Sequence, residues 1–188
     1  MEPLKTVMVL ISGAPGSGKT ALAQRLALEL RFPLLTKDGF KETLLNTLGA
    51  ADRKASESLG LASYALLYAV LGSLVGKIPG IIAESNFTRG RSEGELLPIV
   101  RAARAVLLHC ETTPQEIERR ITARAWADDR HAGHYDLEAL PGVLDRIANK
   151  AFDPLDLPVP LLRIDTTDGH DPPLRDIVRF VRDRAMGL

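Results

Sequence analysis

The chain has 188 residues, 45% hydrophobic and 26% charged, enough to bury one sizeable core and fewer than two ordinary domains need. Lysine plus arginine and aspartate plus glutamate number 24 each, so no whole-molecule field draws the protein to a polyanion and any basic surface must be local. A single cysteine, Cys110, excludes an internal disulfide, and the opening Met-Glu-Pro lacks the basic and apolar regions of a secretion signal, so a reducing, cytoplasmic setting is expected.

Thr6 to Ser12 is a continuous apolar, partly β-branched run too short for a helix, which predicts a parallel strand covered on both faces. A glycine-rich turn follows, and then Leu22, Leu26 and Leu30 recur every fourth residue, predicting a helix from Ala21 to Leu30. Phe32 to Thr36 reads as a second strand, after which Asp38 is expected to cap a helix through Leu44, Leu45 and Leu48. From Leu59 to Gly76 there is no charge, near the length of a membrane span. Gly60, Ser63, Tyr64, Tyr68, Gly72, Ser73 and Gly76 within it favour a helix buried inside an α/β domain instead. Further strands are predicted at Gly80 to Glu84, Ala105 to Cys110 and Leu161 to Asp165. Thr113-Pro114-Gln115-Glu116 opens another helix, with Thr113 as N-cap, Pro114 first in the helix and Glu116 in the capping-box position. Strands alternating with helices imply a mostly parallel sheet with helices on both faces. One domain over residues 1–188 is expected, with Pro154 to Pro160 a loop before the last strand.

Gly13-Ala14-Pro15-Gly16-Ser17-Gly18-Lys19-Thr20 matches G-x-x-x-x-G-K-[ST] in full, between an apolar strand and an amphipathic helix. Its glycines let successive N–H groups turn toward phosphate oxygens, and the following helix adds its positive end. Lys19, expected to extend into a solvent-filled cradle, supplies charge for the β- and γ-phosphates. The Thr20 hydroxyl can coordinate Mg²⁺.

Asp38 and Glu84 each follow the carboxyl end of a predicted parallel strand, the end at which open α/β sheets bind ligands. Asp38 can accept a proton from an acceptor hydroxyl or orient it for in-line attack, or serve only as a cap. Glu84 can hold a Mg²⁺-bound water or the acceptor, or be an exposed strand-end carboxylate. Arg120 and Arg124 share a helix face, and Arg130 follows in a stretch without an apolar period. Such guanidinium groups can close over a triphosphate as a lid, or pair on the surface with Glu116, Glu118 and Asp128. Arg119 is expected to point to solvent. His131 and His134 lack the further ligands of a zinc set, and His109 reads as a core or strand-end residue. Trp126 and three tyrosines give no basic-aromatic platform for single-stranded nucleic acid.

The phosphate loop, Leu35-Thr36-Lys37-Asp38-Gly39-Phe40-Lys41-Glu42, Glu84-Ser85-Asn86-Phe87, and Arg120-x-x-x-Arg124 leading to Arg130-His131-Ala132-Gly133-His134 carry a resemblance over nearly the whole chain, to Leu161 to Thr167. The sequence resembles the zeta-toxin and chloramphenicol phosphotransferase-like P-loop kinases, a group that includes polynucleotide kinase relatives. The resemblance implies a three-layer P-loop NTPase fold, with a five-stranded sheet in the order 2-3-1-4-5 and an arginine-rich lid at about residues 125–136. By position it implies phosphate and Mg²⁺ contacts from Lys19 and Thr20, an acceptor-activating Asp38, and an acidic Glu84 near acceptor and metal. It further implies lid arginines at Arg120, Arg124 and Arg130, and places Thr166 in the loop beside the adenine. The resemblance implies transfer of the γ-phosphoryl group of ATP to a hydroxyl but does not carry over the acceptor, for which a small molecule is the main expectation. The alternatives are a nucleic acid 5′ end as acceptor, or a nucleotide-dependent regulatory switch that hydrolyses ATP slowly. In these relatives acceptor-binding residues lie in the region corresponding to Leu44 to Gly76. Its apolar character here favours a small or partly apolar acceptor over a polyanion, and no membrane partner is expected.

Overall fold

The computed structural model describes residues 5–126 and 134–187. Strands β1 (Val7–Ser12), β2 (Leu34–Thr36), β3 (Gly80–Glu84), β4 (Arg104–Glu111) and β5 (Leu161–Asp165) form one parallel sheet in the order β2-β3-β1-β4-β5. Around it lie α1 (Lys19–Leu30), α2 (Lys37–Leu48), α3 (Arg53–Leu74), α4 (Glu93–Arg101), α5 (Pro114–Ala125), α6 (Asp136–Ala148) and α7 (Leu174–Val181). This is the topology of a P-loop NTPase.

The central strand shows why the sheet is sandwiched. Side chains alternate across a strand, so Val7, Val9 and Ile11 enter one core with Leu22 and Leu26 of α1 and Ile177 and Val181 of α7. Met8 and Leu10 enter the other with Leu67 and Leu71 of α3 and Leu96 and Val100 of α4. A third cluster, Ala14, Ile117, Ile121 and Phe152 with Val143 and Ile147 beside it, docks α5 and α6 under the loop that leaves β1.

Three local expectations need correction. Thr36, not Asp38, caps α2: its backbone is extended and its hydroxyl accepts from Gly39 N at 3.0 Å, which leaves Asp38 inside the first turn. Thr113 caps α5 through Glu116 N at 3.2 Å, but the Glu116 carboxylate turns to Arg119 and Arg120 rather than back to the cap, because two guanidinium donors outbid one amide. The long apolar helix α3 is not buried. Ser56, Ser63, Leu67 and Leu71 face inward, while Leu61 is 63% exposed. By length and composition α3 is long and apolar enough to cross a membrane; in this structure it forms the outer layer against α2 and the sheet. Arg130 and His131 fall in residues 127–133, outside the described residues, as does most of the expected lid.

Candidate active site

The phosphate loop begins where β1 runs out of sheet. Gly13 adopts φ 140°, and a Cβ there would stand 2.3 Å from the Cys110 carbonyl oxygen, so only glycine lets the loop lie against β4. Gly18, at φ 79°, is the N-cap of α1 and offers no side chain to it, so the first N–H groups of that helix face the cleft uncapped. Lys19 is not solvated as expected. It is buried, and its Nζ donates to the Ala14 carbonyl at 2.7 Å. Burial pulls its ammonium below the usual range, and the charge of Glu84 opposes that pull.

Pro15, Gly16, Gly18, Lys19 and Thr20 line a cleft of about 650 Å³. Gly13, Ala14 and Ser17 are turned behind the loop. The Ser17 N–H donates to Ala14 O at 3.1 Å, and its buried hydroxyl has no hydrogen-bond partner among the described residues. Ala14 and Ser17 line a smaller cavity of about 310 Å³ on the far side.

The Thr20 hydroxyl donates to Glu84 Oε2 at 3.2 Å. Glu84 is 5% exposed; desolvation pushes its carboxyl up, and Lys19 pulls it down. A hydroxyl and a carboxylate side by side are hard oxygen donors suited to Mg²⁺, which takes few protein ligands and completes its shell with phosphates and water. Among the described residues no group of three His, Cys, Asp or Glu forms a metal cage.

Arg120 closes one end. Its NH2 donates to the Thr166 carbonyl at 2.6 Å and its Nε to Glu116 at 2.6 Å, while hydrogen bonds from Arg119 and Arg120 hold the Glu116 carboxyl down to about 2. Thr166 is buried and its hydroxyl is spent on the Ser17 carbonyl at 2.8 Å, so it buttresses the phosphate loop. Arg124 makes a forked pair with Asp136, Nε to Oδ2 at 3.2 Å and NH2 to Oδ1 at 3.3 Å, and lies within electrostatic reach of Lys19. Arg119 is exposed, as expected.

Asp38 stands on the same cleft, 44% exposed, with Lys37 Nζ at 3.1 Å. It lines that cleft together with Lys19, Thr20 and Glu84, close enough for its charge to act on Lys19 and Glu84. Beside it are Lys41, Ser85, Asn86, His134, Asp136 and Arg146. None of the cleft's described lining comes from residues 44–76, contrary to expectation; that region acts through Tyr64, whose hydroxyl donates to Asn86 Oδ1 at 2.9 Å. Burial pushes the Tyr64 phenol up to about 12, so it remains a donor. The sequence reading missed Lys41, Asn86 and Arg146. Lys37 and Lys41 flank Asp38 at helical spacing and were legible in principle, whereas Arg146 had no local signal.

The fold and the loop define a P-loop nucleotide-binding protein of kinase-like architecture. A family model described as "AAA domain" matches residues 8–147. The chain belongs to that family. A structure from Chloroflexus aurantiacus j-10-fl described as a "putative kinase" is 30% identical over 96% of this chain and 98% of its own, with a TM-score of 0.80. A sugar kinase from Janibacter sp. HTCC2649 is 15% identical over 95% and 94%, TM-score 0.59, and a gluconokinase from Sinorhizobium meliloti 1021 is 16% identical over 96% and 91%, TM-score 0.53; both share the fold. Among curated proteins nothing matches.

Proposed function

We propose that this chain is an ATP- and Mg²⁺-dependent kinase that moves the γ-phosphoryl group to a hydroxyl of a small-molecule acceptor, within one domain. The observation that carries this reading is the cleft itself, lined both by the phosphate loop and by Asp38. The resemblance to zeta-toxin and chloramphenicol phosphotransferase-like kinases, and the similarity to a protein described as a "putative kinase", support it.

In this reading the N–H groups of the loop, Lys19 and Arg124 hold the triphosphate and meet the charge that develops on the equatorial oxygens. Thr20 and Glu84 would hold Mg²⁺, which when bound neutralises phosphate charge. Arg130 would add a further lid cation. Asp38 takes the proton of the acceptor hydroxyl as its oxygen bonds to the γ-phosphorus, and the bond from that phosphorus to the β-phosphate bridging oxygen breaks, releasing ADP.

Asp38→Asn tests this. Because Thr36 caps the helix and the Lys37 pair is partly exposed, stability should change by less than about 1 kcal/mol. Nucleotide affinity should hold, while transfer falls by on the order of a hundred- to ten-thousand-fold. Unchanged transfer in the folded variant would remove Asp38 from the chemistry and favour the nucleotide switch.

A further inference from the structure

The half of the cleft away from the phosphate loop contains a charge that the transfer chemistry leaves unused. Asp38 is matched by Lys37, Asp136 by Arg124, and Glu84 by Lys19 and Thr20. Arg146 lines the same cavity from α6, and among the described residues its partners are neutral: NH2 donates to Thr88 Oγ1 at 2.7 Å, and the guanidinium lies 4.3 Å over the Phe152 ring. No carboxylate of the described residues pairs with it.

Those two contacts fix the group in place. Phe152 is 5% exposed and belongs to the cluster that docks α5 and α6, and Thr88 is held in its turn by Thr88 N to Ser92 Oγ at 3.0 Å. A planar guanidinium stacked on a buried ring keeps its remaining N–H donors in a rigid fork, the geometry that recognises a carboxylate or a phosphate in two places at once. Asp38, Asn86 and Arg146 line the same cavity, and Asn86 is held by the Tyr64 hydroxyl, so they stand about one polar patch. Lys41, 8% exposed, adds a second cation to the same wall.

We infer that the acceptor is a small anion: a compound carrying a carboxylate or phosphate group that Arg146 and Lys41 seat, with its hydroxyl turned to Asp38. This rests on the kinase reading only in calling the bound anion an acceptor. It narrows the small or partly apolar acceptor that the composition of residues 44–76 favoured to a small anion.

The test is a titration of malonate, and separately of methyl phosphate, onto protein first saturated with ADP so that the phosphate loop is filled. At least one of the two should bind, and the tighter of them identifies the anion class. Arg146→Gln should weaken that anion by about tenfold or more, with ADP affinity unchanged, since a charge-assisted hydrogen bond is lost. Arg146→Lys should lie between, because it keeps the charge and loses the fork. Absence of binding of both anions, or equal binding by wild type and both folded variants, overturns the inference. Failure of ADP to bind counts instead against the nucleotide site, and the anions are then titrated onto the nucleotide-free protein with the same criteria.

Discussion

The two halves of the cleft are made by different means. The half proposed to hold the donor is one continuous stretch, Gly13 to Thr20, whose long-range hydrogen-bond partners among the described residues are Glu84, Arg120 and Thr166. The half proposed to hold the acceptor is assembled from the first turn of α2, the end of β3 and the last turn of α6, residues some hundred positions apart in sequence whose meeting depends on the whole fold. A phosphate needs N–H groups in a fixed curve, which one loop supplies; an acceptor needs a particular set of side chains, which no local segment supplies.

The sharpest break of that comparison is Lys19. Lys19→Met keeps the buried stem and removes the ammonium that donates to Ala14, so the fold should survive while turnover falls by on the order of a hundredfold or more. Equilibrium nucleotide titration with steady-state kinetics checks this, and unchanged values for both would remove the loop from function. Arg124→Ala should come next, lowering kcat by on the order of a hundredfold with a smaller rise in the KM for ATP. A rise in KM alone would make the Asp136-paired arginine a ground-state contact. Glu84→Gln should raise the Mg²⁺ concentration needed for half-maximal rate by about 10- to 100-fold, the range for a disturbed metal shell. A Mg²⁺ titration of the variant reads this directly.

The smallest effect concerns stability rather than chemistry, behind the donor half. His109 is buried, with its Nδ1 2.8 Å from Ser12 Oγ. The Glu111 carboxylate, 3.6 Å from its Nε2, is too far to hydrogen-bond and belongs to Arg163. Burial, aided by Arg163 and Lys19, pushes the imidazole from 6.5 down to about 4. The unfolded chain therefore binds the proton first, and stability should fall as pH drops from about 6.5 to about 4, then level off. At about 1.4 kcal/mol per pKa unit the loss is on the order of 3 kcal/mol. Denaturant unfolding across this window should show the acid limb flattened in His109→Gln.

The same contrast decides what the sequence could reveal. Strands such as Met8 to Ile11, buried on both faces, announce themselves as apolar runs, and the phosphate loop is legible because its function and its spacing coincide within eight residues. Asp38 was found through its place at a strand end, although its neighbour Thr36 took the cap. Arg146 was invisible because nothing in Leu144-Asp145-Arg146-Ile147 distinguishes it from a surface arginine; only Phe152 beneath it and Thr88 beside it turn it into the cleft. The apolar stretch of α3 misled for a related reason. Its outer face leaves Leu61 and Leu66 as well as alanines in water, so hydropathy overstated its burial.

The central claim is that phosphate passes from one half of the cleft to the other rather than to water. Phosphorus NMR of the protein with ATP, Mg²⁺ and a panel of hydroxy acids, sugar phosphates and their neutral parent alcohols follows that transfer without a coupled assay. The account predicts a phosphate-ester resonance growing with ADP for an anionic member of the panel, absent with Asp38→Asn. Inorganic phosphate and ADP alone, at the same rate with every compound and in both proteins, would contradict it.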